Sequence, residues 1–224
     1  MQLDFQAREL TVKLVFYGPA LSGKTTNLQA LHRLLTPEGR GRLMTLETKD
    51  DRTLFFDLLP LSFSTASGLT VRIKLFTVPG QVIHNSTRKL VLQGADGVAF
   101  IADSQIQEVR ANQASFKDLR KNLRDNNIDP GKMPLVIQYN KRDLPNIRSE
   151  EEIMRMAAQG KEPTFLAVAT RGTGVFETFM GLMQATWERL QAEHNLKDRF
   201  GLDHQMVVAD LSKRFTAPAT VVQP

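Results

Sequence analysis

The stretch "GPALSGKT" (18–25) constrains the fold more than any other part of the chain, because of what flanks it. Before it, "TVKLVFY" (11–17) is apolar and β-branched, as a buried strand requires. After it, "NLQALHRLL" spaces Leu28, Leu31 and Leu35 along one helix face. A strand, then G-x-x-x-x-G-K-[ST], then a helix is the arrangement of a phosphate-binding loop. Gly18 and Gly23 let the backbone curl so that its N–H groups converge on phosphate oxygens, and the helix adds its positive end. Gly18, Ala20, Leu21, Ser22, Gly23, Lys24, Thr25 and Thr26 are therefore assigned to phosphate. Lys24 would neutralise the outer groups, and the Thr25 hydroxyl is a ligand for Mg2+.

The rest of the chain alternates strands with helices. "LTVRIKLFTV" (69–78) sets Val71, Ile73 and Leu75 against Arg72 and Lys74, which predicts a strand with one wet face near a sheet edge. "GVAFIADS" (97–104) and "PLVIQYN" (134–140) read as central parallel strands, and "TFLAVAT" (164–170) as a last short one. Helices are predicted around 85–93 and over 105–127, the latter with Ala114, Phe116, Leu119 and Leu123 inward. A capping box of Ser149 and Glu152 opens another, through Gln159. The last long helix, 174–195, turns Phe176, Phe179, Met183 and Leu190 inward. Only "LMTLETKDDRTLFFDLLPL" (43–61) fits no single element, mixing an apolar start with a charged loop. The class is α/β, a mostly parallel sheet with helices on both faces.

From about Asn195 the pattern changes, giving a domain over 1–194 and an extension over 195–224. The extension holds a short helix with Val207, Leu211 and Phe215 on one stripe, then a tail of disordered composition. The stripe fits packing on the chain's own domain, or docking on a partner.

Composition removes several function classes. With no cysteine there are no disulfides, thiolate metal sites, or prenyl and palmitoyl anchors, and the Met-Gln start does not fit myristoylation. No apolar run reaches the length of a membrane span, and the first ten residues lack the core of a secretory signal, so a cytoplasmic protein is expected. The net charge of +5 is dispersed, with two tyrosines and no aromatic-basic interleaving, which argues against a nucleic-acid partner.

A second motif, "NKRD" (140–143), names the base. The Asp143 carboxylate can accept both the N1–H and the exocyclic amino group of guanine, a donor pair that adenine lacks. An unpaired buried carboxylate gives discrimination of roughly 10⁴-fold or more. Asn140 would tie the base loop to the phosphate loop, and the stem of Lys141 would cover the ring. In "AVAT" (167–170), Val168 and Ala169 lie where the backbone N–H of Ala169 can reach the guanine carbonyl.

Together "YGPALSGKTTNLQ", "DRTLFFDLLPL", "TVPGQ", "RKLVLQGADGVAFIADSQ" and "QYNKRDLP" closely resemble the MglA-like family of prokaryotic small Ras-like GTPases, over about residues 8–192. The resemblance implies a Ras-like P-loop GTPase with a mostly parallel six-stranded sheet whose second strand is antiparallel. It implies a GTP/GDP switch with Mg2+, slow intrinsic hydrolysis, and control of cell polarity or gliding motility through effectors. It further implies a Roadblock-fold, MglB-like activating homodimer, and a cytoplasmic protein recruited to cell poles or motility complexes.

On that resemblance, Gln81 corresponds to the water-orienting glutamine, and the Gly80 N–H to the sensor of the γ-phosphate. Thr53 is the candidate second Mg2+ ligand, arriving with the γ-phosphate. Arg52 is placed to act as an arginine finger in cis, worth on the order of 10³-fold or more, or else is a surface charge in "KDDR". In "TVPGQ", Thr77 holds the position where other small GTPases have aspartate, a trait shared with the MglA-like family. A hydroxyl lacks the charge that a carboxylate supplies there. A GTP-binding scaffold without hydrolysis is therefore the alternative to a working switch, and Asp143 speaks against an ATP-using enzyme.

Overall fold

The computed structural model describes residues 1–37, 41–46, 56–65, 68–80 and 85–216. Strand β2 (Glu9–Tyr17) is its axis. On one side it pairs parallel with β5 (Thr70–Thr77). On the other, its upper half pairs parallel with β6 (Gly97–Asp103), and its lower half antiparallel with β1 (Gln2–Asp4). Beyond β6 come β7 (Leu135–Asn140) and β8 (Thr164–Leu166), both parallel. Beyond β5 come β4 (Phe56–Ser64) and β3 (Met44–Leu46), both antiparallel. Among the described residues the sheet has eight strands, the short β1 and β3 being additional to the six expected.

One expectation needs correction. The strand over 69–78 is interior, because β4 pairs with it along seven register positions from Leu58↔Phe76 to Ser64↔Thr70. Its wet face is real, with Arg72 exposed, but that alternation reports one uncovered sheet face rather than an edge.

Alternation along β2 divides the core into two. Leu10, Val12, Leu14 and Phe16 face helices α1 (Lys24–Leu34) and α5 (Val175–His194). Val15 and Tyr17 face the opposite layer, built with α2 (Asn85–Leu92) and α3 (Val109–Asp125). In α3 the inner stripe is Ser115, Leu119, Asn122 and Leu123, with Phe116 half-buried. Leu119 and Leu123 face inward as expected, but Ala114 is exposed and its neighbour Ser115 is buried in its place, while the buried Asn122 donates to Tyr17, Asn85 and Asp118. Helix α4 (Glu150–Gln159) begins at the expected Ser149 cap, whose hydroxyl accepts from the Glu152 N–H at 3.2 Å, while the Glu152 carboxylate pairs with Arg148.

After α5, helices α6 (Leu196–Phe200) and α7 (His204–Ser212) fold back onto the domain. Val207 and Leu211 are buried, and Phe215 packs its ring 5.1 Å from Phe176 and 5.6 Å from Phe179. The backbone also joins the end of α1, with Thr36 N–H donating to Arg214 and Thr216 N–H to Leu34. The segment 216–224 lies, apart from Thr216, outside the described residues.

Candidate functional site

The loop between β2 and α1 turns around the Lys24 ammonium, which donates to the carbonyls of Gly18 at 3.0 Å and Pro19 at 2.6 Å. Burial pushes the Lys24 amine down to about 7, the cationic Arg88 adds to this, and Asp57 opposes it. The loop therefore holds an amine for which anionic phosphate is a better partner than carbonyls. Gly23 sits at φ 94°, and a Cβ there would lie 2.2 Å from Asn140 Nδ2. Gly80 presses on the same loop from β5's far end, where a Cβ would lie 2.3 Å from Ala20 Cα. Leu21 also takes a positive φ and is exposed, while Ser22 is wholly buried.

Two side chains connect the loop to the end of β7. Asn140 Nδ2 donates to the Ser22 carbonyl at 2.8 Å, and its Oδ1 accepts from Ala169 N–H at 2.9 Å. That amide, expected to face a base carbonyl, is thus already engaged, and could serve a ligand as a shared, three-centre donor. Lys141, at φ 65°, pairs with Asp103 at 2.6 Å. Asp143 lies exposed on the turn that follows. Val168 closes the neighbouring loop through a bridge with Thr173.

A cavity of about 430 Å³ opens beside the phosphate loop, lined by Leu21, Gly23, Lys24, Thr25, Thr26, Thr45, Phe56, Asp57, Thr77 and Val78–Gly80. The residues of the base loop lie outside its lining. Its lining includes a side chain that the motifs do not point to. Asp57 Oδ2 accepts from the hydroxyls of Thr25 at 2.6 Å and Thr77 at 3.0 Å, and its Oδ1 from Thr45 at 2.9 Å. The Thr77 hydroxyl in turn accepts from the Asp57 N–H at 2.9 Å. The available signal was a lone acid in phase with the buried Leu59, Leu61 and Phe63 of β4. Arg52, Thr53 and Gln81 lie outside the described residues.

The fold, the phosphate loop and its tie to "NKRD" point to one protein class, and comparison with known proteins decides the family. The chain is 46% identical over 189 residues to the mutual gliding-motility protein MglA of Myxococcus xanthus (strain DK1622), covering 84% of this chain and 97% of that protein. The chain belongs to the MglA family of Ras-like small GTPases. No family model matches it. As in Ras-like proteins, this MglA-family chain carries an antiparallel strand, β4, beside a parallel run of β5, β2, β6, β7 and β8. Among the described residues, no helix is long and apolar enough to cross a membrane.

Proposed function

We propose that the chain is a GTP-binding and GTP-hydrolysing switch that controls cell polarity or motility through effectors. The observation that carries this reading is the link from the phosphate loop through Ser22 and Asn140 to the loop of Ala169. It sets a triphosphate cradle and a base-reading turn in fixed relation. Family membership supports the biological role, since the Myxococcus relative is named for gliding motility.

Each residue then has a task. Lys24 leaves the Gly18 and Pro19 carbonyls for the outer phosphates, and Asp143 takes the two guanine donors on the edge of the base. Thr25 and Asp57 offer hydroxyl and carboxylate oxygens, the hard donors that suit Mg2+, and Thr53 is the further candidate ligand. Bound there with the nucleotide, Mg2+ would supply charge neutralisation of the β- and γ-phosphates. Gln81 orients the attacking water, the Gly80 N–H reads the γ-phosphate, and Arg52 stabilises charge once a partner sets it against the phosphates. A Roadblock-fold, MglB-like homodimer is the activator that this reading calls for, and recruitment to cell poles the expected localisation.

Competition between GTP and ATP for the purified protein tests the reading of the base. GTP should win by roughly 10⁴-fold or more, because a base seated on the turn would cover the otherwise exposed Asp143 carboxylate and only guanine pairs with it. ATP competing on equal terms would overturn it. A scaffold that binds GTP without hydrolysis is the second reading, and Thr77 is the residue that raises it.

A further inference from the structure

We propose that Phe215 is a positioning residue for nucleotide retention: by joining the end of α1 to the first turns of α5, it holds the phosphate loop and the base loop in fixed relation and slows nucleotide release. The inference rests on the guanine-nucleotide reading above and goes beyond it, since it gives a task to residues that lie outside the site.

Each nucleotide loop runs straight into a helix. Gly23, in the phosphate loop, is the residue before α1, and Gly174, after the loop of Val168 and Ala169, is the residue before α5. A nucleotide gripped at both ends leaves only when these loops part, so whatever fixes α1 to α5 opposes its release. The two helices are joined twice. Near their starts Gln138, buried in β7, donates to Asn27 at 2.9 Å and to Thr178 at 2.8 Å. Asn27 in turn donates to the Gly23 carbonyl at 2.9 Å, and Thr178 to the Gly174 carbonyl at 2.6 Å.

The second joint is Phe215. It bridges antiparallel to Leu35, the residue that caps α1, and the N–H groups of Thr36 and Thr216 close the pair on Arg214 and Leu34 at 2.8 and 2.7 Å. Its ring meanwhile lies against Phe176 and Phe179, in the first two turns of α5. The two joints differ in how they can open. Gln138 belongs to a central strand, whereas Phe215 follows α7, a nine-residue helix held by Val207 and Leu211. A unit of that size opens locally at lower cost than the sheet beneath it. It also lies beyond the family resemblance, which ends near residue 192. The Myxococcus relative is matched over 97% of its own length but over 84% of this chain. Phe215 is thus an added joint, made to both helices that carry the loops, and it acts on the nucleotide only through them.

The chain has no cysteine, so Thr36→Cys with Arg214→Cys supplies its only two thiols. They flank the Leu35–Phe215 bridge and leave both of its core side chains in place. Paired strands set opposite Cα atoms about 5 Å apart, within the span of a disulfide. Release of a fluorescent GDP is measured from this one variant, oxidised and reduced. Oxidation should raise Tm whatever the role of Phe215, because the cross-link restrains the unfolded chain. It should slow GDP release, by about fivefold or more, only where the joint has to open for the nucleotide to leave. Equal release rates in the two forms would overturn the inference while leaving the guanine reading intact. A wild type that binds no guanine nucleotide would overturn both. Should the two thiols not close into a disulfide, the wild type carries the test. Coupling is reciprocal, so GDP should slow hydrogen exchange at the Thr36 and Thr216 amides by a similar factor. Exchange there that GDP leaves unchanged would overturn the inference.

Discussion

Asn140 Nδ2 donates to the carbonyl of Ser22 at 2.8 Å, joining the base loop to the phosphate loop across 118 residues of chain. The same amide's oxygen holds Ala169, so one side chain sets the geometry of three loops. None of the three can drift without breaking a buried hydrogen bond.

Asn140→Ala should leave the Ser22 carbonyl and the Ala169 N–H without their partner, at about 1–3 kcal/mol for each group. GDP affinity is expected to fall by about tenfold or more, read by titration calorimetry. Gly23→Ala should be damaging too, since its Cβ would meet Asn140 Nδ2 at 2.2 Å. In an Asn140→Ala background that collision is gone, so the two losses should be less than additive. Strict additivity would show that the Gly23–Asn140 contact is not what constrains the loop.

Lys24 makes nucleotide binding pH-dependent. Its amine is lowered by burial to about 7 from the ordinary 10.5, so between these values the unfolded chain holds more protons there than the native one. The nucleotide-free fold should therefore gain stability as pH rises through that window, and below it bear the whole cost of the buried charge. Bound phosphates favour the ammonium, so binding in the window requires proton uptake, and GDP affinity should weaken as pH rises. Calorimetry in buffers of different ionisation enthalpy should find about one proton taken up at pH 9. Lys24→Met should remove both the uptake and the stability slope.

The segment from Leu196 to Phe215 is built into the core. Phe215 packs against Phe176 and Phe179 and is 7% exposed. Phe215→Ala should cost about 3–5 kcal/mol, and lower Tm by roughly 10 °C, followed by thermal denaturation. A Tm within a degree of wild type would mean that α7 is dispensable to the fold.

Legibility of the sequence depended on the kind of signal. The phosphate loop, "NKRD" and the central strands were readable because each is a local pattern whose chemistry sits within a few residues. Non-local pairing was not. The 69–78 strand reads as an edge because its partner β4 lies within a stretch that follows no single period. Asp57 was missed for the same reason. Its role depends on a register that brings it opposite Thr77, and on Thr25 arriving from another element. Ser115 rather than Ala114 faces inward in α3, and the polar Asn122 shares that face with Leu119 and Leu123, which apolar periodicity alone does not reveal. The threonine at position 77, an apparent loss when read along the chain, stands beside a carboxylate once the strands are paired.

The measurement that bears most directly on a hydrolysing switch is single-turnover GTP hydrolysis with Mg2+, wild type against Gln81→Ala. A working switch requires slow wild-type turnover that the variant abolishes. Tight GTP binding with the same negligible turnover in both, even with a Roadblock-fold homodimer present, would contradict it and leave a GTP-binding scaffold.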